Sequence, residues 1–333
     1  MFDTPPARTP SPDGPPIGGA SSRDDGLVLE SGGTIPGLSR PAFTIQRQRS
    51  ARIPVLIAVP HAGRAYPVNF AAGMRDPDVA PLRLEDRFVD SVGKHAAALC
   101  GAALLIAHAP RAMIDLNRDP HDLDLSMFTG TDAEKSALRR KMPGGGRQSS
   151  RANRGLGLFP RRLTGLGELW RRPLTLDEGQ RRIAAIHAPY HDALDKCLGE
   201  IRREWGQALL LDLHSMPSLP QRAGLPPPTH IVGDRFGASA GRSLVEEALL
   251  RLEGDGAACG YNRPYAGGYV LERHGRPRAG VHAVQLEIAR DCYLDEQGRI
   301  IAAKVEEQGR IVAGMISAMI ERMSGDCLPQ AAE

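Results

Sequence analysis

The 333-residue chain predicts an α/β fold, a three-layer sandwich around a mixed, mostly parallel sheet. Short runs rich in Val, Ile and Leu, bounded by Pro, Gly or Ser, have the character of strands buried on both faces. They alternate with longer segments whose apolar residues recur at helical spacing, the order expected when helices cover both faces of a parallel sheet. The composition, 41% hydrophobic and 24% charged, is that of a soluble globular protein. No apolar stretch approaches the roughly eighteen residues of a membrane span.

Residues 1–40 are rich in Pro, Gly and Ser and low in hydrophobic side chains. Such a segment cannot repay its ordering entropy, so a disordered tail is expected. It also lacks the apolar core of a secretory signal, which makes a cytoplasmic location the expectation. A single domain is expected over residues 41–325, with a short tail at 326–333. Phe43-Thr44-Ile45-Gln46 alternates like a strand, and Val55-Leu56-Ile57-Ala58-Val59 is a buried strand that delivers His61. Over residues 82–99, Leu84, Phe88, Val92, Ala96 and Leu99 recur near helical spacing, which puts Glu85, Asp86 and Asp90 on or near one helix. A strand is predicted over 102–107. Residues 144–167, rich in Gly and Arg, are expected to form a long loop, and loops of that length are usually functional or disordered. Residues 176–205 give the clearest helix, with Ile183, Ile186, His187, Tyr190, Leu194, Leu198 and Ile201 on one stripe. A strand over 208–213, a helix over 238–252, a strand over 281–288 and a last helix over 300–323 complete the pattern.

The net charge of +3 does not imply a nucleic-acid partner. Basic residues do concentrate over 139–172, as Arg139-Arg140-Lys141, Arg161-Arg162 and Arg171-Arg172. Such a stretch is either a solvated surface or a field that attracts an anionic substrate. RNA binding fits least, because no aromatics are interleaved. The cysteines, at 100, 197, 259, 292 and 327, are odd in number and scattered, with no C-x-x-C pair. That argues against a disulfide framework and against a thiolate zinc site.

Two strand-like runs end in a histidine before a turn, Val59-Pro60-His61-Ala62-Gly63 and Asp212-Leu213-His214-Ser215. Open α/β sheets bind ligands outside the carboxyl ends of their strands, where both imidazoles are expected. With nearby carboxylates they make a metal site the first hypothesis. Catalytic zinc takes three protein ligands and keeps a position for water, so a carboxylate has to join the pair. Glu85 and Asp86 are the candidates, and Asp86 is preferred. Strand periodicity puts Asp212 on the face of His214, where it can accept the ring's second N–H. Arg111 and Arg118, with Asn117 beside the second, follow the strand over 102–107. They are either surface ion pairs or guanidinium groups for a carboxylate and a developing oxyanion. Glu287, in an apolar strand, is either paired with an arginine or placed at the active-site end as general base for a metal-activated water. Tyr265-Ala266-Gly267-Gly268-Tyr269 either covers a substrate or turns a hairpin. His191 on the long helix is expected to be a satisfied helix-face histidine, and His108, His230 and His282 are given the same role.

In order along the chain these segments resemble the N-formylglutamate amidohydrolase family. The matching pieces are Pro60-His61-Ala62-Gly63 with Tyr66-Pro67, Glu85-Asp86 with Val89-Asp90, Asp115-Leu116-Asn117-Arg118, and Gly155-Leu156-Gly157 with Pro160-Arg161. They continue as Pro189-Tyr190-His191, Asp212-Leu213-His214-Ser215, Tyr265-Ala266-Gly267-Gly268-Tyr269 and Gln285-Leu286-Glu287. The resemblance implies a zinc-carboxypeptidase-like fold, related to aspartoacylase and succinylglutamate desuccinylase. It implies one zinc ion on His61, Asp86 and His214, an oxyanion group in Arg111, and a substrate-carboxylate site in Asn117 and Arg118. Substrate contacts from Tyr265, Gly267 and Gly268 and a base in Glu287 complete the implied site. The implied substrate is a small anionic N-acyl amino acid, first N-formyl-L-glutamate, cleaved to formate and glutamate as in histidine breakdown. Another acidic N-acyl amino acid is the alternative within the scaffold, and non-catalytic binding of an anion or RNA the alternative outside it. No nucleic-acid or membrane partner is expected. Peptidase-like members of the wider group carry an acidic ligand three residues after the first histidine, where this chain has Arg64.

Overall fold

Period-two alternation with apolar residues on both sides forces a strand into the middle of a molecule, and the computed structural model has that arrangement. It describes residues 26–141, 150–221 and 226–326. One sheet is built from β1 (Leu27–Gly32), β2 (Phe43–Gln48), β3 (Val55–Val59), β4 (Ala103–Ala107), β5 (Ala208–Met216), β6 (His230–Gly233), β7 (Cys259–Tyr261) and β8 (Val281–Ala289). Its spatial order is β1-β2-β4-β3-β5-β8-β6-β7. The central pairs β4–β3, β3–β5 and β5–β8 are parallel, as is β6–β7, while β1–β2, β2–β4 and β8–β6 are antiparallel. The sheet is mixed and mostly parallel, as the sequence predicts.

Helices cover both faces. In chain order they are α1 (Val68–Ala72), α2 (Ala80–Leu84), α3 (Val89–Cys100), α4 (Asp132–Lys141), α5 (Ser150–Asn153), α6 (Leu176–Arg182), α7 (Ala188–Trp205), α8 (Arg242–Gly254), α9 (Tyr269–His274) and α10 (Ala302–Asp326). Val55, Ile57 and Val59 of β3, with Leu209, Leu211 and Leu213 of β5, pack against Val92 of α3, Val245 of α8 and Met315 of α10. The alternate residues Leu56, Ala58 and Leu210 face Tyr190, Leu194 and Leu198 of α7. Each fully buried Leu, Ile or Val contributes roughly 1.5–3 kcal/mol, so these two layers dominate the folding energy. No helix among the described residues is long and apolar enough to cross a membrane.

The tail expected over residues 1–40 does not hold for its last fifteen residues. Residues 26–40 belong to the fold: β1 pairs antiparallel with β2, Ile35 is fully buried, and Thr34 N–H donates to the Ala185 carbonyl at 2.9 Å. This ordering comes from backbone pairing at a sheet edge and one apolar anchor, which the composition of the whole segment hides. Residues 1–25 lie outside the described residues. At the other end α10 runs to Asp326, and the rest of the tail expected at 326–333 is outside the described residues.

The single helix expected over 82–99 is two helices. After α2 the chain turns extended at Glu85, and Phe88 takes a left-handed φ of 59° before α3 begins. Arg64 and Arg87 stack on the Phe88 ring, at 4.7 and 4.9 Å from its centroid, and Arg64 also pairs with Asp90 at 3.0 Å. These cation–π and ionic contacts hold the break open. The predicted helix over 176–205 is present but passes through a π-helical turn at Ile183–His187 between α6 and α7. The strand predicted to end at 213 runs on to Met216, so His214 stands inside it. Strands β6 and β7 are too short to leave a clear pattern in the sequence. Cys100, Cys197, Cys259 and Cys292 are free thiols, and Cys327 lies outside the described residues.

Candidate active site

Because β3, β5 and β8 run parallel, their carboxyl ends open on the same edge, and the polar residues gather there. His61 follows β3 by two residues. The turn after it comes so close to the next segment that a Cβ on Gly63 would stand 2.0 Å from the Ala109 carbonyl oxygen, which only glycine tolerates. His214 lies in the last third of β5, directly opposite Glu287 of β8 in the ladder, and Asp212 is opposite Gln285. The break between α2 and α3 delivers Asp86, whose N–H donates to the His61 carbonyl at 2.9 Å.

The three side chains His61, Asp86 and His214 are all buried, and their ligand atoms lie within 4.8 Å of one another. Asp86 Oδ2 is 2.9 Å from His214 Nδ1 and 3.6 Å from His61 Nδ1. Each imidazole is oriented through its other nitrogen: His214 Nε2 bonds Asp212 at 2.9 Å, and His61 Nε2 bonds Asp115 at 2.8 Å. Both Nδ1 atoms therefore face the shared space. His61 Nδ1 is buried with no hydrogen-bond partner, an expensive state for a polar atom unless a ligand fills the space. Two oriented imidazoles, a carboxylate and an orphaned nitrogen fit a divalent metal ion.

Of the two carboxylates considered from sequence, Asp86 is the one brought to the histidines. Glu85 turns away and accepts from Arg87 at 3.2 Å. Arg64, which stands where the wider group has an acidic ligand, instead anchors this break through Asp90 and Phe88. Burial by itself raises the Asp86 carboxyl, but the bonds and charge of His214 and His61 override it and hold the group well below the usual carboxylate range. Burial likewise opposes protonation of His214, yet Asp212 and Asp86 push its pKa well above the ordinary histidine value.

Asp115 escaped the sequence reading as a functional group. Its carboxylate orients His61, accepts Arg111 Nε at 2.9 Å and accepts the Asn117 N–H at 2.9 Å. Burial disfavours its charge, but Arg111, His61 and Arg118 hold its pKa well below the usual range. No local signal marks it: Asp115 stands in the loop after β4, and the ring it orients lies 54 residues away in sequence.

Glu287 is buried beside this cluster and accepts from Gln285 Nε2 at 3.0 Å. Desolvation is the main cause that pushes its pKa up to about 7, with Asp86 and Asp212 adding to it and His214 and Arg111 opposing. Arg118 is held by the Leu156 and Asn117 carbonyls at 3.0 and 2.8 Å. The Asn117 amide is engaged with protein on both ends: Oδ1 accepts the Val270 N–H at 2.9 Å, and Nδ2 donates to Gln285 Oε1 at 3.3 Å. A Cβ on Gly268 would come within 2.5 Å of Asn117 Oδ1, so the glycine loop closes directly onto that side chain.

His61, Asp86, Arg111, Asn117, Arg118, His214 and Glu287 line one cavity of about 370 Å³, together with Tyr265, Gly267 and Gly268. Arg83, Arg151, Arg154 and Arg290 also line it, whereas its acidic lining groups are Asp86 and Glu287. Of the basic stretch over 139–172, Arg151 and Arg154 reach the cavity. Arg161 pairs with Asp124 at 2.6 Å and Arg171 Nε donates to the Met74 carbonyl at 2.8 Å, so they are structural. Residues 142–149 lie outside the described residues. His230 bonds Gln308 at 2.8 Å and His108 bonds Thr44 at 3.1 Å, both away from the cavity.

The family model of N-formylglutamate amidohydrolase matches residues 53–294. An N-formylglutamate deformylase from Pseudomonas aeruginosa is 31% identical over 268 residues, covering 75% of this chain and 85% of that protein. One from Pseudomonas putida is 32% identical over 254 residues, covering 74% and 83%. Among solved structures, the N-formylglutamate amidohydrolase from Ralstonia eutropha JMP134 superimposes with a TM-score of 0.72 at 28% identity, covering 85% of this chain and 99% of that one.

Proposed function

The chain belongs to the N-formylglutamate amidohydrolase family, and from that premise we propose that it hydrolyses N-formyl-L-glutamate to formate and L-glutamate with one divalent metal ion, zinc. The observation that carries the proposal is the cluster of His61, Asp86 and His214 with Glu287 opposite His214, at the floor of a cavity walled by arginines. His61 Nδ1, His214 Nδ1 and an Asp86 oxygen would hold the metal. Two histidines, one carboxylate and an open position suit zinc. Such a metal would supply Lewis-acid charge to polarise the formyl carbonyl and make water nucleophilic at neutral pH.

The chain's own residues supply the remaining chemistry. Glu287 takes the proton of the attacking water and passes it to the leaving nitrogen as the carbon–nitrogen bond breaks. In the metal-free site burial pushes its pKa up to about 7, and a bound cation would lower it toward the range where the carboxylate accepts the proton of water. Arg111, fixed by Asp115, stabilises the oxyanion that develops on the former carbonyl oxygen. Arg118 takes a substrate carboxylate, while Asn117 braces the loop against β5 and β8. Tyr265, Gly267 and Gly268 close the cavity over the substrate. Arg83, Arg151 and Arg154 form no ion pair among the described residues and add positive field at the cavity wall, which favours a dianionic substrate over a neutral one.

A substrate panel tests this. N-formyl-L-glutamate should release formate faster than N-formyl-L-aspartate, N-acetyl-L-glutamate or a neutral formyl amino acid. Preference for another acyl group would reassign the substrate, and no turnover of any member would reject the enzymatic role.

A further inference from the structure

His191, expected to be a satisfied helix-face histidine, and His187, expected on the stripe of the same helix, both spend a ring nitrogen on one short segment. His187 Nε2 donates to the Arg118 carbonyl at 2.9 Å, and His191 Nε2 donates to the Leu116 carbonyl at 3.0 Å. The two carbonyls flank Asn117. We propose that His187 and His191 are positioning residues that fix the Leu116–Arg118 backbone and so aim the Arg118 guanidinium into the cavity. The inference rests on Arg118 taking a substrate carboxylate.

The helix is built to make both contacts. His187 closes the π-helical turn and His191 follows on α7, with their rings 4.4 Å apart. One residue more than an α-helical turn shifts the side-chain phase by about 100°, which is what brings this stripe round from the α6 direction.

The hydrogen-bond directions continue the clamp. A carbonyl only accepts, so His191 Nε2 carries a hydrogen. Burial, with His187 and His274 beside it, keeps His191 neutral, and its Nδ1 therefore accepts from His274 Nε2 at 3.0 Å. His274 Nδ1 stands 3.0 Å from an oxygen of Asp195, which also accepts from Arg273 and Arg276 at the surface. The Leu116 carbonyl is thus tied through two imidazoles to a carboxylate outside the cavity. Tyr269, directly after Gly268, packs its ring 5.8 Å from that of His187 and 5.1 Å from that of His191. One histidine pair therefore supports the segment bearing Arg118 and the glycine loop that closes over it.

The test compares kcat and KM on N-formyl-L-glutamate, with bound metal counted, for Arg118→Met and for the Asn and Gln variants of His187 and His191. Gln carries an amide N–H near the Nε2 position, whereas Asn is too short. His187→Asn and His191→Asn should raise KM about tenfold, the loss of one buried hydrogen bond. Their kcat and metal content should hold, and the Gln variants should recover most of the KM. If Arg118→Met raises KM but the Asn variants lower only melting temperature, the histidines are packing and the inference fails while the role of Arg118 stands. If Arg118→Met leaves KM unchanged, the carboxylate role fails and the inference falls with it.

Discussion

Glu287 lies directly opposite His214 in the parallel ladder of β5 and β8, so the proposed base and a proposed metal ligand share one register position. Side-chain direction in a strand alternates residue by residue, and a slip of one would carry Glu287 to the opposite face of the sheet. The pairing is held by the fully buried Leu211, Leu213, Val284 and Leu286 on either side.

Glu287→Gln should therefore leave metal binding intact while turnover falls by about 10²–10⁴-fold, a result read from metal per chain and kcat. The same variant tests the electrostatics. The Glu287 pKa is raised from 4.5 to about 7 in the folded protein, so its stabilising share is fully present below 4.5 and is lost as pH rises through 7. Metal-free wild type should lose up to about 3 kcal/mol relative to the glutamine variant across that window. Parallel stability–pH curves for the two would contradict the burial of a titrating carboxyl.

Asp86 and Glu85 are neighbours in sequence with opposite environments. Asp86→Asn should abolish stoichiometric metal uptake. Glu85→Gln should retain it, because Glu85 pairs with Arg87 away from the cavity. Titration of both variants with zinc under a competing chelator separates them.

Asp115 orients His61 and fixes Arg111 with its two oxygens. Asp115→Asn should weaken metal affinity by about 10–100-fold, the usual effect of losing a carboxylate behind a ligating histidine. It should also lower kcat when metal is saturating, since Arg111 loses its anchor. A drop in metal affinity with unchanged saturated kcat would remove Arg111 from the oxyanion role.

Much of this arrangement was legible in the sequence because strands buried on both faces leave unbroken apolar runs, and the residue that ends such a run is placed at the sheet edge. His61 and His214 were found that way, Glu287 as an acid inside an apolar strand, and Asp212 behind His214 followed from period two. Asp115 was not, because nothing local separates an acid that orients a ring from one that faces solvent. The break at Phe88 was hidden as well: the apolar spacing continues through it, and what imposes it is long-range stacking by Arg64. The β1 edge strand and the π-helical turn were also set by partners distant in sequence, at β2 and at the Leu116–Arg118 segment.

Arg151 and Arg154 carry positive charge into the cavity from the basic stretch. The double variant Arg151→Gln/Arg154→Gln should raise KM for N-formyl-L-glutamate several-fold, about 1 kcal/mol, with kcat little changed. Added salt should weaken substrate binding by wild type more than by the variant, since screening acts on exposed charge. Identical salt dependence would leave the two arginines as a solvated surface.

The most direct measurement is formate release from N-formyl-L-glutamate by protein stripped of metal with a chelator and then titrated with zinc. Activity should vanish on stripping and return in proportion to zinc, reaching its maximum near one ion per chain, and His61→Ala should not recover. Full turnover by the stripped protein, or recovery by His61→Ala, would contradict a catalytic metal held by His61, Asp86 and His214.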